Sequence, residues 1–102
     1  MNNVRKSTRI AFVEALEALM AEDPRIVMVS ADSVAVFRAG GLIEKYPDRV
    51  VEVGIAEQNA VMAAAGLASA GMIPYVCTYA GFSVMRACEQ MRTFVGYTEL
   101  NA

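Results

Sequence analysis

The pattern of apolar and polar positions predicts a first helix near the amino end of the chain. Large apolar side chains recur at helical spacing through residues 10–20, while Glu14 and Glu17 lie on the opposite side. Ser7 or Thr8 is the predicted N-cap, because a side-chain oxygen there accepts an amide proton that the first turn leaves unpaired.

Three short apolar runs follow, and each is typical of a strand. Residues 26–29 are wholly apolar, as expected for a strand buried on both faces of a parallel sheet. The Asp23-Pro24 pair ends the first helix before this run. The other predicted strands are 50–53 and 73–79, the latter rich in β-branched and aromatic residues.

Helical segments separate the predicted strands. They cover residues 34–46, 57–70 and 82–95, although Gly40-Gly41 weakens the first of them. Residues 99–102 are typical of the approach to another strand. Because helices join successive strands, the pattern predicts an α/β fold with a parallel sheet and helices on both faces.

The composition restricts the chemistry that this chain can perform. Its 102 residues, 56% of them hydrophobic, are enough for one domain with an apolar core. The chain has no His, which excludes a His-based catalytic triad and a His-ligated metal. Proton transfer within the chain is therefore left to a carboxylate, Lys, Tyr or Cys.

Charge and cysteine spacing argue against several classes of partner. A net charge of −2 favours neither nucleic acid nor an anionic membrane surface. Cys77 and Cys88 are eleven positions apart, which fits two reduced thiols in a cytoplasmic protein rather than a redox or zinc pair. Residues 1–9 are polar and basic, and two glutamates interrupt residues 10–21, so neither a signal peptide nor a membrane span is expected.

Ligands of open parallel sheets bind beyond the carboxyl ends of the strands, where three segments of this chain are expected. They are residues 30–33, 54–58 and 78–82. Glu57 falls in the first turn of a predicted helix directly after a strand, from which its carboxylate can reach a cleft. An equally weighted interpretation is that this carboxylate only complements the helix dipole.

Other polar and aromatic residues near these segments have ordinary structural interpretations. Asp32 is more often a turn residue than a ligand contact. Tyr79 and Phe82 could stack on a planar ligand, although aromatic residues beside a turn usually pack in a core. Arg86 and Gln90 lie one turn apart on the last helix, where they contact a partner or solvent.

The motifs of common phosphate and hydrolase sites are absent from the sequence. It contains no GxGxxG after a strand, no GxxxxGK[ST] and no GxSxG. A phosphate site within this chain is therefore not expected.

Several spaced segments together resemble the pyrimidine-binding domain of the transketolase family. The most specific are GIAEQ at residues 54–58 and RACEQ at residues 86–90, with Phe82 between them. The resemblance covers about residues 8–101. The step from Phe82 to Arg86 is most similar to that of the carboxyl-terminal subunit of split transketolases.

The resemblance implies thiamine diphosphate as cofactor and gives Glu57 a catalytic role. The matching Glu of the family hydrogen-bonds N1′ of the aminopyrimidine and favours the imino tautomer, whose 4′ nitrogen removes the C2 proton. By the same resemblance Phe82 and Tyr79 pack on the pyrimidine ring, Ile55 is a further cofactor contact, and Asp32 lies near the thiazolium at the mouth of the site. Arg86 and Gln90 are assigned to the helix and to a subunit interface.

The remaining parts of such a site are implied to lie on other polypeptide. In the family, the diphosphate and a divalent ion, Mg²⁺ or Ca²⁺, are held by a diphosphate-binding domain or an amino-terminal transketolase subunit. No metal ligand is therefore expected in this chain. The assembly is expected to be a homodimer or a heterotetramer. The resemblance also implies that residues 1–102 are the amino-terminal part of the domain, inactive alone, in an enzyme acting on sugar phosphates.

Two alternatives to a transketolase stay open at this point. The chain is also compatible with a 1-deoxyxylulose-phosphate synthase or a 2-oxoacid dehydrogenase β subunit, because substrate specificity lies mostly outside these residues. In the second alternative the polypeptide is a non-catalytic interaction module or truncation product that associates through exposed apolar surface.

Overall fold

A computed structural model describes residues 5–102 and shows a three-stranded parallel sheet with helices on both faces. In chain order the elements are α1 (Thr8–Glu22), β1 (Ile26–Ser30), α2 (Gly40–Lys45), a 3-10 turn (Pro47–Arg49), β2 (Val50–Glu52), α3 (Glu57–Ser69), β3 (Ile73–Cys77), α4 (Ala80–Arg86), α5 (Cys88–Gln90) and a π-helical turn (Met91–Gly96). The α/β class and the parallel sheet predicted from the sequence are confirmed.

Strand β1 is the centre of the sheet, whose order is β2-β1-β3. Met28 pairs with Val50 on one side and with Tyr75 on the other. Every residue of β1 is buried, as the wholly apolar run predicts, because helices cover both of its faces. The parallel arrangement brings the carboxyl ends of all three strands to one edge.

The two faces of the sheet carry different helices. On one face, Leu16 and Met20 of α1 and Leu42 of α2 pack against Met28. On the other, Ala60 and Ala64 of α3 pack against β1 and β3 through their small side chains. Close packing at these alanines keeps α3 near the sheet and fixes the position of its amino end.

Polar contacts close both ends of α1. The Ser7 hydroxyl accepts a hydrogen bond from the Ile10 amide at 3.3 Å, so the predicted N-cap is confirmed at Ser7. Beyond the other end, the Arg49 guanidinium donates to the main-chain carbonyls of Met20, Asp23 and Ile26 at 2.8, 2.7 and 3.0 Å. Arg49 thereby joins the α1–β1 connection to the start of β2.

The helix predicted for residues 34–46 is shorter in the structure and begins at Gly40. Residues 34–37 make one turn, and Arg38 follows it with a φ of 55° in the left-handed region. The Arg38 and Ala39 amides donate back to the carbonyls of Ala35 and Val34, a pattern that terminates a helix. The double glycine therefore begins α2 instead of interrupting it.

The carboxyl-terminal region also differs from the prediction. The single helix predicted for 82–95 is divided at Ala87 into α4, α5 and the π-helical turn. No strand forms at residues 99–102: Glu99 adopts a φ of 57°, and the Glu99 and Leu100 amides donate to the carbonyls of Gly96 and Val95. These hydrogen bonds form a Schellman motif at the end of the helix. The Glu99 and Leu100 amides are therefore not free to pair with a neighbouring strand.

The remaining strand ends differ from the prediction only slightly, with β2 ending at Glu52 and β3 at Cys77. Among residues 5–102, no helix combines the length and the apolar character that crossing a membrane requires. The first four residues of the amino-terminal segment lie outside the described part of the chain.

Candidate functional site

A cleft of about 570 Å³ lies between the amino end of α3 and the carboxyl end of α4. Its walls come from the segment after β2 and from the helix after β3, so it is at the edge of the sheet where ligands were expected. The lining residues are Ile55, Ala56, Glu57, Gln58, Asn59, Met85 and Arg86.

Glu57 is the first residue of α3 and the one acidic side chain in this lining. Only 7% of the residue is exposed, and its Oε1 accepts a hydrogen bond from Arg86 Nη1 at 3.3 Å. A carboxylate that merely complements a helix dipole does not need to be buried. Burial with a single charged neighbour is costly, and it favours the interpretation that Glu57 has a chemical role.

Arg86 links the two walls of the cleft, a contact that the sequence-based assignment to a helix or subunit interface did not include. Its Cζ lies 4.1 Å from the centre of the Phe82 ring, a cation–π contact, while its Nη1 reaches Glu57. Gln58 donates to the Arg86 carbonyl at 2.9 Å. Because Glu57 and Arg86 are 29 positions apart, no periodicity in the sequence reports this pair.

The two aromatic residues predicted to contact a planar ligand lie next to each other. The rings of Tyr79 and Phe82 are 5.4 Å apart at an interplanar angle of 72°, an edge-to-face pair. They are 56% and 40% exposed, which contradicts their interpretation as core residues. Ile55, at 77%, adds a third exposed apolar side chain, in the cleft itself.

Asp32 follows β1 and lies outside the residues that line the cleft. Its φ of 55° is in the left-handed region, which Asp tolerates better than most residues. The Asp32 amide donates to Glu52 Oε1 at 2.6 Å, and the Gly54 amide donates to the same oxygen at 2.8 Å. Glu52 thus joins the loop after β1 to the loop that leads into Ile55 and Glu57.

Hydrogen bonding controls the ionisation of Glu52. Partial burial alone would raise its pKa, but hydrogen bonds from the amides of Asp32, Gly54 and Val53 and from the Ser30 hydroxyl stabilise the carboxylate and lower the pKa overall. Cys77 has the opposite behaviour, because burial raises the pKa of its thiol to about 12. Cys77 therefore stays a thiol at neutral pH and is not a proton carrier.

The chemistry of this cleft fits an aminopyrimidine. A planar heterocycle with ring nitrogens needs an apolar surface for its faces and a hydrogen-bonding group at its edge. Ile55 in the cleft provides the first, together with the Tyr79–Phe82 pair, which lies outside the cleft lining and is connected to it by Arg86. The buried carboxyl group of Glu57 provides the second. Within residues 5–102, no group of three or more acidic, Cys or His side chains is placed to hold a metal ion.

Comparison with known proteins agrees with this architecture. The family model described as "Transketolase, pyrimidine binding domain" matches residues 5–102. The chain is similar to a solved structure titled "Split gene transketolase, inactive beta4 tetramer", with a TM-score of 0.83 and 39% identity over 92% of this chain and 31% of that one.

Two curated relatives represent different enzymes of this group. An apulose-4-phosphate transketolase subunit from Actinobacillus succinogenes (strain ATCC 55618 / DSM 22257 / CCUG 43843 / 130Z) is 38% identical over 99% of this chain and 32% of its own length. The 1-deoxy-D-xylulose-5-phosphate synthase of Myxococcus xanthus (strain DK1622) is 47% identical over 79% of this chain and 14% of its own length. The chain thus spans a third or less of these relatives. The match over residues 5–102 shows that it belongs to the transketolase family, as a pyrimidine-binding domain.

Proposed function

We propose that this chain supplies the aminopyrimidine half-site of a thiamine diphosphate-dependent transketolase. The observation that carries the proposal is Glu57: a buried carboxylate at the start of α3, in a cleft at the carboxyl edge of the sheet, beside exposed aromatic rings. The family match and the similarity to split transketolases support it.

Each residue predicted for the site has a separate role in this proposal. Thiamine diphosphate, when bound, would supply an acidic carbon that can act as a nucleophile toward a ketose carbonyl. Glu57 is the catalytic residue: it shares a proton with ring atom N1′ through a hydrogen bond that its burial strengthens, since only 7% of the residue is exposed. Phe82 orients the pyrimidine by offset stacking, and Tyr79 packs edge-to-face against Phe82 beside the ring. Ile55 covers the pyrimidine, and Asp32 lies toward the thiazolium side.

The other half of the site belongs to a partner in this proposal. A diphosphate-binding domain or amino-terminal transketolase subunit holds the diphosphate with Mg²⁺ or Ca²⁺. The assembly is a homodimer or a heterotetramer in the cytoplasm, and it acts on sugar phosphates, including those of pentose metabolism. Relatives described as transketolase subunits support a separate partner chain.

Reconstitution tests this function. Mixing the full-length subunit with its diphosphate-binding partner, thiamine diphosphate, Mg²⁺ and ketose and aldose phosphates is expected to transfer a two-carbon ketol unit. Glu57→Ala is expected to reduce kcat by about 10²- to 10⁴-fold, the usual contribution of a positioned proton-transfer group. Near-normal activity of that variant would refute the role of Glu57, and absence of both transfer and cofactor binding would favour a non-catalytic interaction module.

A 1-deoxy-D-xylulose-5-phosphate synthase is a second candidate, favoured by the 47% identity to the Myxococcus enzyme. The Actinobacillus transketolase relative matches 99% of this chain, against 79% for the synthase, which supports the first candidate. The same reconstituted assembly, supplied with pyruvate as well as the aldose phosphate, distinguishes the two by its product, because a synthase joins the two-carbon unit of pyruvate to the aldose phosphate and releases CO₂. Formation of 1-deoxy-D-xylulose 5-phosphate without ketol transfer would favour the synthase.

A further inference from the structure

The side chain of Arg86 occupies the space between the two groups that are proposed to hold the pyrimidine. Its Nη1 lies 3.3 Å from Glu57 Oε1, and its Cζ lies 4.1 Å from the centre of the Phe82 ring. A planar ring that stacks on Phe82 and hydrogen-bonds Glu57 needs this same space. The guanidinium and the pyrimidine therefore compete for one position.

The surroundings of Arg86 allow its side chain to move while its main chain stays in place. Gln58 holds the Arg86 carbonyl at 2.9 Å, and the buried Ala87 follows it. The Arg86 side chain is 53% exposed, so the guanidinium has water on its outer side. Rotation about its side-chain bonds moves the charge out of the cleft without displacing α4.

We infer that Arg86 is a displaceable counter-ion of Glu57, which neutralises the buried carboxylate in the cofactor-free protein and must leave when the pyrimidine binds. This inference rests on the proposed function. It makes Arg86 a residue that determines cofactor affinity by competition. In the cofactor-free state the pair compensates part of the cost of burying the Glu57 charge.

Removal of the guanidinium is expected to strengthen cofactor binding. In Arg86→Met the stem remains but the contacts with Glu57 and Phe82 are lost. Half-exposed ion pairs and cation–π contacts are weak, so the dissociation constant of thiamine diphosphate is expected to fall by about five-fold. Arg86→Lys keeps the charge, and its dissociation constant for thiamine diphosphate is expected to lie between those of wild type and Arg86→Met.

A matched control is available on the same segment of the chain. Arg92 pairs with Glu89 at 3.3 Å, the same separation as in the Arg86–Glu57 pair, but 75% of its side chain is exposed. Arg92→Met removes the same charge away from the cleft and is expected to leave the dissociation constant unchanged. In a Glu57→Gln background the Arg86→Met change is expected to have a smaller effect on binding, because the ion pair is gone and only the Phe82 contact remains to be displaced.

The dissociation constant of each variant is measured by isothermal titration. Thiamine diphosphate is titrated into the full-length subunit assembled with its diphosphate-binding partner. A tightening of binding in Arg86→Met that is smaller in the Glu57→Gln background would support the inference. An unchanged or weakened affinity in Arg86→Met would overturn it, while the proposed function would stand if wild type bound the cofactor. If the wild-type assembly bound none, the proposed function would fall and the inference with it.

Discussion

At the scale of residues, two glutamates five positions apart have opposite environments. Glu52 is exposed and accepts hydrogen bonds from the amides of Asp32 and Gly54, which stabilise its charge. Glu57 is buried, and its charge is compensated by one guanidinium. Glu52 is thus suited to holding the loops at the edge of the sheet, and Glu57 to hydrogen-bonding a ligand in the cleft.

Replacing Glu52 tests its structural role. Glu52→Gln is expected to lower the free energy of unfolding by about 1 kcal/mol at pH 7. The expected loss is small for a hydrogen-bonded charge because solvent screens an exposed carboxylate. The folded-state pKa of Glu52 lies below its ordinary value of 4.5, so the stabilisation is fully present above that pH. It is lost as the pH falls through the folded-state pKa.

Urea denaturation of the full-length protein at several pH values measures this effect. The difference in stability between wild type and Glu52→Gln is expected to shrink below about pH 4.5. Glu44→Gln, at an exposed position of α2, is the control and is expected to change stability little. A difference that does not depend on pH would contradict the role given to the Glu52 charge.

At the scale of elements, the helices that pack on the sheet were predictable, and the ends of the shorter ones were not. Helices α1 and α3 follow from apolar periodicity and from alanine content, because burial against a sheet imposes both. The turn at 34–38 and the end at Glu99 depend on left-handed φ values at Arg38 and Glu99. Neither residue type signals that conformation, so local sequence does not report those helix ends.

The candidate site shows the same limit of prediction from local sequence. Glu57, Ile55, Tyr79 and Phe82 follow strands at the sheet edge, so topology and family resemblance were enough to select them. The Arg86–Glu57 pair depends on how α4 packs against α3, and this tertiary contact leaves no trace in residue spacing. The sequence therefore predicted the candidate site residues but not the ion pair between Arg86 and Glu57.

Replacing each of two glycines of α3 and its carboxyl end by alanine is expected to change the free energy of unfolding in opposite directions. Gly66 lies within α3, is exposed, and has no heavy atom within 4 Å of an added Cβ. Gly66→Ala is expected to raise the free energy of unfolding by about 1 kcal/mol, because Ala loses less conformational entropy in a helix. Gly71 has equal space but a φ of 95°, in the Schellman end of α3.

Gly71→Ala is therefore expected to lower the free energy of unfolding by about 1 kcal/mol, because an L side chain resists the left-handed region. Urea denaturation of both variants of the full-length protein provides the comparison. Equal effects of the two substitutions, in either direction, would contradict the assignment of these helix positions.

At the scale of the whole molecule, the described residues leave a cleft and a groove open to solvent. The cleft beside Glu57 is open, and the aromatic pair next to it is exposed. On another part of the surface, a mainly apolar groove of about 640 Å³ runs along β3, an edge strand of the described sheet. Both features are consistent with a domain whose site is completed by other polypeptide.

Cofactor binding is therefore expected to require the partner. Titration of thiamine diphosphate with Mg²⁺ into the 102-residue chain alone is expected to give no saturable heat, because the cleft offers one carboxylate and apolar contacts, which suit only the pyrimidine end of the cofactor. The full-length subunit with its diphosphate-binding partner is expected to bind. Tight binding to the chain alone would contradict the half-site arrangement.

The most direct test of the central claim is the rate at which the C2 proton of thiamine diphosphate exchanges with deuterium in the assembled enzyme, followed by NMR without any sugar substrate. Exchange is expected to be fast in wild type and in the control Glu89→Gln, an exposed carboxylate on α5. In Glu57→Gln it is expected to be at least about 10²-fold slower. Exchange in Glu57→Gln at the wild-type rate, with the cofactor bound, would contradict the assignment of Glu57 as the group that drives proton removal.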